Sequence, residues 1–166
     1  MAPTAQVLSP SFRALRYEAE RAHELLQAGE YGEARALLQE LRARASAQGV
    51  ESARLRTWLG EACALCGDLE EAVEHLLAAV GMDPFCERSR AALDRVVLRA
   101  RLALADARCP TPATLYGLLV RAHAADAQAQ AAMVRHLVRA GRTAEALALA
   151  QEVAVLELGQ GAALQA

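Results

Sequence analysis

The 166-residue sequence contains no lysine, no isoleucine and no asparagine, and aromatic residues make up 4% of it, with a single tryptophan. Strands draw on β-branched and aromatic side chains, so a β-sandwich or a parallel sheet has little to be built from. No apolar run approaches the ~18–20 residues that a membrane-spanning helix needs. Met1 to Ser9 has no positive charge leading into an apolar segment, so the signal-peptide pattern is missing. A cytoplasmic location is therefore expected, with the four cysteines as thiols. The net charge of −2 gives no bulk attraction to a polyanion. A hydrophobic content of 54% argues against a disordered chain.

What is present is alanine (40 residues), leucine (26) and, as the only basic side chain besides four histidines, arginine (18). Ala, Leu, Arg, Glu and Gln are the strongest helix formers, so the fold class is expected to be all-α. The missing Lys, Ile and Asn also fit the codon bias of a GC-rich genome. Charge is unevenly spread: residues 1–85 carry 8 Arg and 13 acids, and residues 86–142 carry 10 Arg and 4 acids. A basic middle can face an acidic partner or simply balance charge within the fold.

An internal repeat organises the chain. Gly29, Gly67 and Gly141 are each followed, four and five residues on, by Glu-Ala: Glu33-Ala34, Glu71-Ala72 and Glu145-Ala146. The spacings, 38 and twice 37, imply four units, the third lacking its Gly near Leu104. Each Gly is expected to close one helix in a left-handed turn. A polar residue then opens the next: Asp68 with Glu71 as a capping box, and Thr143 for the last helix. Helices are expected from Pro10 to Ala28, Tyr31 to Ala47, Glu51 to Cys66, Leu69 to Gly81, Pro84 to Ala107, Pro112 to Ala125, Ala127 to Ala140 and Ala144 to Leu158. Asp83-Pro84 reads as the cap and first residue of the fifth. The domain is expected over 9–158, in units 9–48, 50–82, 84–125 and 127–158, with flexible ends at 1–8 and 159–166.

Residues 53–86 resemble a tetratricopeptide repeat. Leu59-Gly60, Ala72, Leu76, Ala79 and Pro84 stand at the family's spacing, and Gly67-Asp68 fits the turn between helices. Cys63 replaces the usual aromatic, and Arg56 stands at the Trp position. Residues 15–48 and 127–160 match less fully, and 87–126 depart from the pattern, with Asp94 and Asp106 at small-residue positions. The longer spacing is similar to the repeats of bacterial transcriptional activator domains. The resemblance implies a right-handed superhelix of about four antiparallel hairpins, a non-catalytic protein without cofactor, and a concave groove for a protein or peptide. Its structural positions would be Gly29, Ala34, Gly60, Gly67, Ala72, Ala79, Pro84, Gly141 and Ala146. Its groove would include Arg16, His23, Arg54, Thr57, Glu61, Arg88, Arg95, Arg99, Arg135 and Arg139. The Lys/Asn carboxylate clamp of some relatives is absent, since Ala19 and His23 occupy two of its positions.

Arg forks bind carboxylates in bidentate fashion, so an acidic segment fits such a groove. A regulatory or oligomerisation module of a bacterial transcription regulator is the alternative. Nucleic-acid binding by the basic middle is a weaker third, and no membrane is implied. The apolar girth of the last helix, Leu147 to Leu158, points to a homodimer or to packing on the long third-unit helix. Cys63-Ala64-Leu65-Cys66 lies at a helix C-terminal end, where the dipole disfavours a reactive thiolate. Of the further ligands a zinc site needs, Cys86, Cys109 and His75 form no second close pair, so core thiols and no metal are expected. Glu70, Glu71 and Glu74 read as dipole compensation at a helix start, and Trp58 as a packing anchor.

Overall fold

The computed structural model describes residues 10–152, with side chains from residue 14 onward. It contains α1 Pro10–Ala28, α2 Tyr31–Ala47, α3 Ala53–Leu65, α4 Leu69–Met82, α5 Glu87–Ala105, α6 Pro112–Arg121 and α7 Ala127–Arg139. An eighth helix, α8, is described over 143–152. No strand occurs among the described residues. The expected flexible ends, and Val153 to Leu158 of the last helix, lie outside them.

The chain forms two compact units that part between Leu93 and Asp94, inside α5. In the first unit short turns join α1 to α2 and α3 to α4, so each pair runs antiparallel. Ala34, Leu38, Leu59, Ala62, Cys63, Ala72, Leu76 and Ala79 are fully buried where these helices pack. At Gly60 the helices come closest. A Cβ built there would stand 2.6 Å from Leu76 Cγ and 3.1 Å from the Ala72 carbonyl oxygen. A polar strap ties the two hairpins on the outside. Arg35 of α2 donates to Asp68 (3.0 Å) and to Glu71, and Gln39 donates to Glu71 Oε1 (3.1 Å).

In the second unit, Met133, Leu137 and Ala146 form a core against Tyr116, Val134 and Leu149. The α5 C-terminal half is fastened by polar contacts. Arg101 donates to the Ala124 carbonyl (2.8 Å) and pairs with Asp126 (3.2 Å), and His136 Nε2 donates to the Leu104 carbonyl (2.9 Å). That carbonyl belongs to the last turn of α5, where no intrahelical donor exists.

Several expected boundaries move, each for a local reason. Ser52 caps α3, its hydroxyl accepting from the Leu55 amide (3.3 Å), so the helix starts at Ala53 rather than Glu51. Asp83 closes α4 instead of opening α5. Its carboxylate accepts from the Phe85 amide (3.2 Å), Pro84 lies in the turn, and α5 begins at Glu87 with the Cys86 carbonyl accepting from Arg90. That helix ends at Ala105 rather than Ala107. It is still helical at Leu104, which is fully buried, so no turn Gly belongs there. The Asp68 carboxylate does accept from the Glu71 amide (3.3 Å), but Glu71 turns to Arg35 rather than back to Asp68, so only half of the capping box forms. Thr143 is already helical, and the Arg142 carbonyl accepts the first bond of α8.

The turn glycines Gly29, Gly67 and Gly141 have φ between +74° and +91°, the left-handed region where a Cβ is costly. The α6–α7 junction does the same with His123, at φ 52°. There the Ala124 amide donates back to Leu119 (2.7 Å) and α6 stops at Arg121 rather than Ala125. A left-handed non-glycine residue is disfavoured by roughly 1–2 kcal/mol. His123→Gly will therefore stabilise the second unit by about 1 kcal/mol after the extra freedom of an unfolded glycine is subtracted. Denaturant unfolding measures this, and a loss of stability would show that the imidazole makes compensating contacts.

Candidate functional site

The residues expected to line a groove come together in the first unit around Trp58. Trp58 sits mid-way along α3 and is 2% exposed. His23 of α1 stacks on the indole almost parallel, with ring centroids 4.7 Å apart and planes inclined by 7°. Arg54, one helical turn before Trp58, places its guanidinium 4.7 Å from the ring centroid. Arg88, at the start of α5, lies 5.9 Å from it. Arg88 is also bonded to Glu61 on the next turn of α3 (2.9 Å). An aromatic ring draws cations to its face by its quadrupole, so these guanidiniums are held in place as well as charged.

Beside this cluster, between α1, α2 and α3, opens a pocket of ≈240 Å³. Leu15, Ala19, Leu41, Ala45 and Leu55 give it apolar walls, with Trp58 on one side. Arg16, Glu20 and Arg54 line it as well. Arg16 is paired with Glu20 (3.1 Å). Arg54 has no carboxylate partner among the described residues, so its fork is held against the ring and open to an acceptor. Thr57 differs from the expectation of a groove residue. It is buried, donates to the Ala53 carbonyl (2.9 Å) and shares a 2.7 Å bond with Ser89 Oγ, so it fastens α3 to the first turn of α5 and presents no surface.

The other expected groove residues belong to the second unit. Arg95 and Arg99 are exposed on α5, and Arg135 and Arg139 on α7. Of the structural positions, Ala34, Ala72, Ala79, Ala146 and Gly60 are buried, whereas Pro84 is exposed in its turn. Cys66 caps the end of α3 and is exposed, while Cys63 is buried, so the two thiols of the CxxC face different surroundings. Sequence reasoning treated Trp58 as packing alone. The i, i+4 spacing of Arg54 and Trp58 was a signal that they share a face. Arg88 was expected in the groove from repeat register, but its approach to the Trp58 ring, made from another helix, had no signal in the sequence.

The cluster also sets the protonation of His23. Burial against the indole lowers its pKa below 6.5, and the nearby Arg88 and Arg54 lower it further, while Glu61 and Glu24 oppose the shift. His23 is thus neutral at pH 7, which suits face-to-face stacking. In an NMR titration its ring proton will show a midpoint below 6.5, and Glu61→Gln will move that midpoint lower still. A midpoint above 6.5 would mean that Glu61, not burial, governs the ring. Because the unfolded histidine takes up its proton first, the His23 contribution to stability weakens as the pH falls through 6.5.

Two successive helical hairpins, a Gly-closed turn in each, and small residues at the helix contacts form a repeat whose first helices, α1 and α3, carry the cluster. Residues 19–85 match the family model described as Tetratricopeptide repeat. The match places this segment among the tetratricopeptide repeats. Tetratricopeptide repeats generally mediate protein–protein interaction. The matched segment contains His23, Arg54, Trp58 and Glu61 together with the Gly60 close approach. No curated protein and no solved structure gives a significant match to the chain. Among the described residues no helix is long and apolar enough to cross a membrane.

Proposed function

We propose that the first unit binds a short segment of a partner protein that carries an apolar anchor next to a carboxylate. The observation that carries this reading is the Arg54 guanidinium, braced on the Trp58 ring at 4.7 Å and lining an apolar pocket of ≈240 Å³ without an acidic partner among the described residues. The pocket is large enough for one leucine- or phenylalanine-sized side chain. An Arg fork at its edge favours a carboxylate, since paired N–H donors match its two oxygens. Preorganisation supports the same reading, because a guanidinium already held in place loses less freedom on binding. Arg88 is neutralised by Glu61 and contributes position more than net charge.

The test uses the single tryptophan as a reporter. A display library of short peptides is selected against the full-length protein, and binders are titrated by Trp58 fluorescence. Selected peptides are expected to pair Leu or Phe with Asp or Glu. Arg54→Glu should weaken them at least tenfold, with rising salt having the same direction of effect. Binders without acidic residues, or affinities indifferent to Arg54→Glu, would overturn the proposal.

A further inference from the structure

The α3–α4 core of the first unit contains a group of side chains that the groove does not use. Cys63 of α3, fully buried, faces Glu71 and His75 of α4, which stand one helical turn apart on the same face. Their ligand-type atoms all lie within 4.8 Å of one another. His75 Nε2 is 3.4 Å from Glu71 Oε1. Among the described residues His75 Nδ1 has no hydrogen-bond partner and Nε2 has only this long contact to Glu71, although the residue is only 6% exposed. A buried imidazole so poorly matched is costly, since a polar atom taken from water without a partner loses its hydration uncompensated.

We propose that Cys63, Glu71 and His75 form a binding site for a single zinc ion. The donor set is one sulfur, one nitrogen and one oxygen, the mixture that Zn²⁺ accepts in tetrahedral geometry. Thiolate and carboxylate together cancel the charge of the ion, so a neutral complex replaces separate buried polar groups. Zinc holds such donors at ~2.0–2.3 Å, so the three atoms draw together by about an ångström on binding, a rotamer-scale adjustment of Cys63 and Glu71. The surroundings are those of a metal carboxylate ligand. Gln39 donates to Oε1 and Arg35 donates to the same carboxylate while also holding Asp68, which fixes Glu71 in orientation. The Glu71 side chain is 29% exposed, which provides the route of entry and leaves the fourth position to a water molecule.

In the metal-free protein Cys63 is a thiol, since burial pushes its pKa up to about 12 and the Glu71 charge adds to the effect. Zinc binding displaces that proton: the S–H bond breaks, the sulfur pair binds the metal, and the proton leaves to solvent. The site is independent of the groove, so its failure would leave the peptide proposal intact.

The experiment is metal titration of the full chain, stripped with chelator, using Zn²⁺ against a chromophoric competitor and Co²⁺ for absorption spectra. One equivalent of Zn²⁺ per chain is expected, raising the Tm by several degrees, and Co²⁺ should give sulfur-to-metal charge transfer in the near ultraviolet. Cys63→Ala should abolish the charge-transfer band. His75→Gln, which keeps a polar side chain should an apolar replacement impair folding, should weaken Zn²⁺ at least tenfold while the circular dichroism of the helices is kept. The variant Cys66→Ser/Cys86→Ser/Cys109→Ser should bind as the parent does. Absence of binding by the stripped parent would overturn the assignment. So would a charge-transfer band that survives Cys63→Ala or disappears with the triple variant.

Discussion

Trp58→Ala will lower the stability of the protein by about 3–5 kcal/mol, the cost of deleting a large buried aromatic side chain. Trp58 is 2% exposed, and its ring is the surface on which His23, Arg54 and Arg88 rest. The cavity left behind lies between α1 and α3 and adjoins the existing pocket, so it opens to solvent instead of collapsing. At ~2–4 °C per kcal/mol for a chain of this size, Tm falls by roughly 6–20 °C. Thermal unfolding followed by circular dichroism measures it, since the variant has no tryptophan to report by fluorescence. Trp58→Phe keeps an aromatic face for His23 and should recover more than half of the loss. A loss below 1 kcal/mol in Trp58→Ala would mean that the indole is not an anchor of the hairpin stack.

Gly60 will tolerate no side chain, and the sign of the effect separates close packing from helix propensity. In an open helix Gly→Ala is stabilising by about 0.5–1 kcal/mol, because glycine loses more backbone freedom on folding. Gly117 in α6 is such a site, with nothing within 4 Å of an added Cβ, and Gly117→Ala should stabilise by that amount. At Gly60 the added Cβ meets Leu76 Cγ at 2.6 Å, a branch point rather than the end of a flexible chain, and the Ala72 carbonyl at 3.1 Å. Overpacking of a tight core costs about 1–3 kcal/mol and outweighs the propensity gain. Gly60→Ala should therefore be destabilising by about 1–2 kcal/mol, and Gly60→Val, which adds two further carbons, by about 3 kcal/mol or more. Urea unfolding of the three variants settles the comparison. Equal stabilisation at positions 60 and 117 would show that α3 and α4 are free to separate.

These two effects mark how far the sequence can be read. Local rules placed the elements. Alanine and leucine at helical spacing called for helices, and glycines spaced by 38 and by twice 37 residues marked where three of them end. Asp68 before an apolar run marked where one begins. Where a boundary moved, a side chain had chosen between two neighbouring uses. The Asp83 carboxylate closes α4 with the Phe85 amide instead of capping α5, and His123 took a left-handed turn that composition alone assigns to glycine. Both choices depend on energies near 1 kcal/mol, which sequence patterns do not resolve.

The functional surfaces divide in the same way. That His23, Arg54, Glu61 and Arg88 belong to one face followed from repeat register, because a repeat carries residue positions from helix to helix. That Thr57 is not on that face did not follow, because its hydroxyl meets Ser89, thirty-two residues away, and the pair is buried together. Glu71 shows the difference most sharply. Next to Glu70 and Glu74 at a helix start it reads as one more solvated acid facing the dipole. In the structure it turns inward, under Arg35 and Gln39, to meet Cys63 and His75. Sequence by itself determined the helical class, the repeat and the small residues at which the helices touch, because each depends on spacing of a few residues along one helix. Only the tertiary structure decided which charged and polar groups face one another, because those meetings depend on the packing of helices whose residues lie some thirty positions apart.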